Sequence, residues 1–168
     1  SPVNSSSEMT ATLSQLDIKT LRLQLPEGNI NTQGKLVFNP LLTWQAESQL
    51  DTVALAPFSE QLQGYVNGTI LHQGELADDV LHAQFNLDQF TGVLFESPWQ
   101  LDGSVNLDDE KITLTNLDIK QERNRAQANG TLSLTGENDL QLTLNLEALS
   151  KVLPDLKGAL SADLNLKG

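Results

Sequence analysis

Asp139-Leu140-Gln141-Leu142-Thr143-Leu144-Asn145-Leu146 sets the fold: leucine stands at every second position, with a polar residue at each position between. A period of two sends successive side chains to opposite faces of a strand, so this octapeptide is extended, dry on one face and wet on the other. Outward from it the same period runs through Leu21, Leu23, Leu25; Leu42, Trp44, Ala46; Leu81, Ala83, Phe85, Leu87; and Trp99, Leu101, Val105, Leu107. It continues in Ile112, Leu114; Leu117, Ile119; Ala126, Ala128, Leu132, Leu134; and Leu160, Ala162, Leu164, Leu166. Pro26-Glu27-Gly28-Asn29, Gly74-Glu75, the Asp108 to Lys111 stretch and the Gly136 to Asp139 stretch are hairpin-sized breaks rich in turn formers. The expectation is an all-β chain, an antiparallel meander of roughly ten strands.

One stretch breaks the period. In Leu146 to Pro154 the apolar residues Leu146, Leu149, Val152 and Leu153 recur at helical spacing and proline ends the run, which predicts one short helix near 146–153. Residues 1–9 are polar and read as a disordered or appended tail, leaving 10–168 as a single β domain that is one window on a longer array.

Composition narrows the function. With 22 acidic against 10 basic residues the formal charge is -12, and no Lys/Arg stripe offsets it, so nucleic acid is excluded as a partner and so is docking on an anionic leaflet through a basic patch. There are no cysteines, hence no disulfides, thiolate metal sites or cysteine nucleophiles. Nucleophile-elbow, P-loop and dinucleotide fingerprints are also missing, so the chain reads as non-enzymatic, with no cofactor and no metal. His72 and His82 flank Asp78-Asp79 across a turn; two histidines without a third ligand at suitable spacing read as a solvated hairpin rather than a metal or acid–base site. Asp108-Asp109-Glu110 lacks calcium-loop spacing and reads as a polar turn.

Internal repetition carries more information than any single residue. An offset of 94 matches Leu50 with Leu144, Ala54 with Ala148, Leu55 with Leu149, Gly64 with Gly158 and Ile70 with Leu164. Leu16-Asp17-Ile18-Lys19 recurs as Leu117-Asp118-Ile119-Lys120, and Asn67-Gly68-Thr69-Ile70 echoes Asn129-Gly130-Thr131-Leu132. Repetition of this kind belongs to elongated structures in which each unit contacts only its neighbours.

If every dry face belongs to one sheet, a long apolar surface needs cover, by closure into a barrel, by a second layer, or by curling into a trough. The chain has only 5 Phe, 2 Trp and 1 Tyr to fill a wide core. Few spare apolar residues remain on the wet faces to build a covering layer. Glycines at dry positions, among them Gly68, Gly103 and Gly130, suit a sheet that bends. The expected architecture is an elongated, curled antiparallel sheet with an apolar interior. Its groove lining is expected at Leu101, Val105, Leu107, Ile112, Leu114, Leu117, Ile119, Leu132, Leu134, Leu140, Leu142, Leu144, Leu160, Leu164 and Leu166. An outer-membrane barrel segment is disfavoured by the shortage of interfacial aromatics.

The L-x-G segments Leu62-Gln63-Gly64, Leu101-Asp102-Gly103 and Leu156-Lys157-Gly158, the run Leu153 to Gly158 and the N-G-T-L-x-L-x-G strand Asn129 to Gly136 resemble the C-terminal repeat region of the TamB family, within the AsmA-like bacterial envelope proteins. The resemblance spans residues 10 to 168. It implies a folded-over β-sheet (a β-taco) in the periplasm, within a parent protein anchored in the inner membrane of a Gram-negative bacterium. The parent would meet the outer-membrane barrel TamA. The implied cargo is phospholipid or another apolar chain moving between the membranes. The alternative is a chaperone-like module holding unfolded outer-membrane protein or autotransporter strands.

Overall fold

The computed structural model describes residues 3–57, 62–151 and 157–168. Eleven strands follow one another through a single sheet: β1 (Asn4–Ala11), β2 (Gln15–Gln24), β3 (Asn29–Val37), β4 (Leu42–Ala54), β5 (Gly64–Ala77), β6 (Val80–Leu94), β7 (Ser97–Asp108), β8 (Lys111–Gln121), β9 (Asn124–Ser133), β10 (Asp139–Leu146) and β11 (Leu160–Lys167). Every pair is antiparallel, as short connections require, since a parallel crossover needs a dozen residues or more. β1 and β11 do not pair, so the sheet is open, and each strand is in extensive contact only with its sequence neighbours.

Three local expectations need correction. Residues 4–11 are not a tail: they form β1 and pair along their length with β2, because Met9 and Ala11 extend the dry row of Ile18 and Leu16. Gly74-Glu75 lies inside β5; the turn is Asp78-Asp79, both at positive φ (50° and 65°), the backbone that a two-residue hairpin demands. The expected helix reduces to one three-residue 3-10 turn, Leu149–Lys151. Leu146 remains in the leucine ladder, opposite Leu160, and two helical turns without packing do not persist. Val152, Leu153 and Pro154 lie outside the described residues.

The repeats are structural. In the β4–β5 and β10–β11 hairpins, Leu55 N–H donates to the Gly64 carbonyl and Leu149 N–H to the Gly158 carbonyl, both at 3.0 Å and 94 residues apart.

A line of bulges crosses the sheet. Where the dry period slips from two residues to three, at Leu50/Val53, Leu87/Phe90 and Leu114/Leu117, the register shifts by one extra residue. Thr52, Gln89 and Asn116 are the residues at positive φ in these slips, in alternate strands β4, β6 and β8. The strands between them place Gly68, Gly103 and Gly130 in the row that faces the slips. A bulge bends its strand and raises the local twist, so the alternation makes a crease. Slips at Glu8/Met9 and Ile18/Leu21 mark the β1–β2 edge.

Beyond the crease the apolar face closes on itself. Val53, Val66 and Phe90 form a buried cluster against which Leu25, Ile30, Leu50, Leu55, Ile70, Leu87, Trp99 and Leu101 pack. Gly68 makes this possible, because a Cβ there would meet the Phe90 ring that folds over it. Away from this end the dry side chains are only half-covered, and the other buried apolar side chains among the described residues are Ala54, Ala83 and Ala128.

Candidate functional site: the apolar face

Register shows how the dry positions join. Leu164 faces Leu142, Leu142 faces Ala128, Ala128 faces Leu117; Leu114 faces Val105, Val105 faces Phe85 and Phe85 faces His72. Further on, Gly74 faces Trp44, Trp44 faces Leu36 and Leu36 faces Leu16. One apolar face thus runs from β2 to β11. Most of the expected lining stands on it: Leu101, Val105 and Leu107 of β7, Ile112, Leu114, Leu117 and Ile119 of β8, Leu132 of β9, Leu140, Leu142 and Leu144 of β10, and Leu160, Leu164 and Leu166 of β11. Leu134 is apart: it follows the end of β9, is 85% exposed, and its N–H donates to the Glu110 carbonyl at the turn. At the far edge Leu164 and Leu166 are half-exposed, because β11 has a neighbour on one side only.

The expected lining covered β7 to β11 and missed half of the face. Leu21, Leu23, Ile30, Leu36, Leu50, Ile70, Phe85 and Leu87 belong to it equally. The overlooked signal is the slip of three residues: once Ile18/Leu21, Leu50/Val53 and Leu87/Phe90 are read as bulges, the runs on either side join a single row.

A polar row interrupts this face. Thr32 of β3, Ser48 of β4 and His72 of β5 all take dry positions, and their side chains form a chain: Thr32 Oγ1 to Ser48 Oγ at 2.8 Å, Ser48 Oγ to His72 Nε2 at 3.1 Å. The His72 ring stacks on Phe85, with centroids 6.2 Å apart, and burial holds its pKa below the usual histidine value. His82 lies on the opposite face, 2.7 Å from Asp108. The two histidines therefore do not converge, and among the described residues no three His, Asp or Glu side chains gather as a metal site.

Among the described residues, two donors stand unpartnered at the closed end. Ser97 is fully buried, and neither its Oγ nor the Trp99 Nε1 has a hydrogen-bond partner.

The opposite face carries the charge. Asp118 of β8 is held by Arg125 of β9 at 2.8 and 3.0 Å and by Lys120 at 3.0 Å, and the hydrogen bond from Arg125 keeps its carboxyl below the ordinary carboxylate pKa. Two shallow concavities of about 590 and 620 Å³ open on this polar face, over the row Lys35–Gln45–Gln73–Gln84 and the adjoining Gln33, Glu47 and Asn86. A twisted sheet is saddle-shaped and so is hollow along one diagonal on each face.

The geometry is that of a single-layer antiparallel sheet whose dry face is interrupted by one polar row and packed over at one end. The chain belongs to the TamB family: the family model of the TamB N-terminal domain matches residues 1–168. The expected placement in the C-terminal repeat region is thereby corrected. Of the motifs that suggested it, Gly103 and Gly130 stand with Gly68 in the crease row and the Gly64 carbonyl accepts the Leu55 N–H across its hairpin. No curated protein and no solved structure matches the chain. No helix among the described residues is long and apolar enough to cross a membrane.

Proposed function

We propose that this chain is a non-enzymatic segment of a periplasm-spanning envelope protein whose apolar face shields phospholipid acyl chains in passage between the inner and outer membranes. The parent would be anchored in the inner membrane and would meet the barrel TamA at the outer one. What supports the reading is one observation: dry side chains from β2 to β11 share a face, and among the described residues only its closed end is packed over. An ordinary β domain covers such a face with a second sheet or a helix. Each CH₂ laid against it gains about 0.8 kcal/mol. A leucine surface holds an alkyl chain by area and without fixed register, which lets the chain slide. Head groups would remain at the opening, in water.

Photocrosslinkers at Leu114, Leu132 and Leu142 in the parent protein test this. Phospholipid adducts in cells are the expected result, and a complete absence of lipid at all three positions would sink the reading. The open edges support a second one, in which unfolded outer-membrane strands are held by edge pairing: β1 and β11 each use one side only. Polypeptide adducts at the same positions, without lipid, would favour it.

A further inference from the structure

We propose that the Thr32–Ser48–His72 row binds the carbonyl oxygen of an acyl ester, so that the trough recognises ester lipids and not merely alkyl chains. The inference rests on the trough reading above and adds a ligand contact to it. It begins from a donor count. Two hydroxyl hydrogens and the single N–H of a neutral imidazole make three donors, and the two bonds inside the row use two of them. One donor is left over however the hydrogens are arranged: His72 Nδ1–H if the chain runs from Thr32 to the imidazole, the Thr32 hydroxyl if it runs the other way, the Ser48 hydroxyl if both ends point inward. The lowered pKa of His72 keeps the ring neutral near pH 7, as the count requires.

The surroundings say what an acceptor for that donor must look like. On one side the face continues through Ile30, Leu50 and Ile70 into the closed end; on the other it runs to Leu36 and Trp44. A ligand lying here must therefore be apolar at both ends of this stretch and carry an acceptor between them. A diacyl lipid meets this demand with its two alkyl chains parted to either side of the glycerol, so that an ester carbonyl lies over the row while the head group turns away from the sheet into water. An extended polypeptide brings an N–H and a C=O with every residue, and leucine walls would leave most of them unsatisfied at a cost of about 1–3 kcal/mol each.

The experiment mixes the full chain with phosphatidylethanolamine vesicles doped either with a diazirine-bearing diacyl phospholipid or with its dialkyl-ether counterpart, which lacks the carbonyl. The expected result is capture of the diacyl probe about 3–10-fold over the ether, the effect of one neutral hydrogen bond. In the Thr32→Val/Ser48→Ala/His72→Phe variant both probes should be captured alike, at the level of the ether probe. Should circular dichroism show that this variant does not fold, the ester carbonyl stretch of a ¹³C-carbonyl diacyl lipid on the wild-type chain decides: a hydrogen-bonded band supports the site and a dry-ester band overturns it. Equal capture of both probes by the wild type, or a preference that survives in a folded variant, overturns the inference and leaves the trough intact. Capture of neither probe removes both readings.

Discussion

The side-chain carbonyl of Asn129 accepts the backbone N–H of Asn116 from the neighbouring strand at 2.6 Å, and so caps a bulge whose ladder bond is lost. Asn67 does the same for Thr52 at 2.7 Å. The two N-G-T triplets are one device used twice. Asn129→Ala should cost about 1 kcal/mol, because the freed N–H is exposed and water replaces part of the bond. Asn129→Asp, which keeps the acceptor, should lose less. Urea midpoints of the two variants check this, and equal losses would remove the capping role.

Gly68 and Phe90 are coupled by space. Gly68 sits at φ +155° with the Phe90 ring over it, so Gly68→Ala should destabilise by about 1–3 kcal/mol through overpacking. Adding Phe90→Leu should return part of that loss, and a double-mutant cycle in thermal melts measures the coupling. Strict additivity would mean that the backbone conformation, and not the ring, sets the cost.

Ser97→Ala tests the unpartnered hydroxyl. A buried donor without an acceptor opposes folding by about 1–3 kcal/mol, so replacing this fully buried serine should leave the melting temperature unchanged or raise it. A clear fall would reveal a partner for the hydroxyl in solution.

Asp118 gives the sheet an acid-sensitive contact. Its folded pKa is depressed, chiefly by the Arg125 hydrogen bond, so its contribution is complete above the ordinary carboxylate value of 3.8 and is lost as the pH falls through the lower folded value. Asp118→Asn should therefore be less stable than the wild type at pH 7 and should fall less steeply between pH 4 and 2. Denaturant midpoints across that range check the sign; parallel curves would count against it.

Leu142 and Leu134 were equal in sequence and differ in structure. Leu142→Asp puts a charge in the half-buried face between Ala128 and Leu164, whereas Leu134→Asp changes a side chain already 85% exposed at a turn. Leu142→Asp should lose lipid crosslinking while the strand signal in circular dichroism persists, and Leu134→Asp should behave as the wild type. Global unfolding of Leu142→Asp would point to an ordinary packed core at that position.

The architecture was legible because the leucine ladder of 139–146 and its relatives has the strand period, and because turns such as Asp109-Glu110 stand between runs. The crease was legible too, in principle: an extra residue between Leu114 and Leu117 is visible as a slip of phase, and Asn-Gly at 67–68 and 129–130 marks the facing strand. The partnership of Asn67 with Thr52 was not, since it depends on which residues register brings together across 15 positions of chain. The polar row was overlooked for a similar reason. Thr32 and Ser48 are unremarked polar residues in their runs and His72 was weighed only with His82, and only pairing shows that all three fall in the dry phase and touch. Of the helix expected at 146–153, the described part is a 3-10 turn at Leu149–Lys151, because a sheet one layer thick offers little for two helical turns to pack on.

A wall that is one sheet thick, with each strand leaning only on the next, has no central core whose volume fixes its size. Eleven strands at a spacing of about 4.8 Å extend roughly 50 Å, and another hairpin of the Leu50–Ile70 kind adds close to 10 Å without disturbing what came before. Duplication, of which the match of Leu50 and Ile70 with Leu144 and Leu164 carries the trace, can therefore lengthen such a sheet one hairpin at a time.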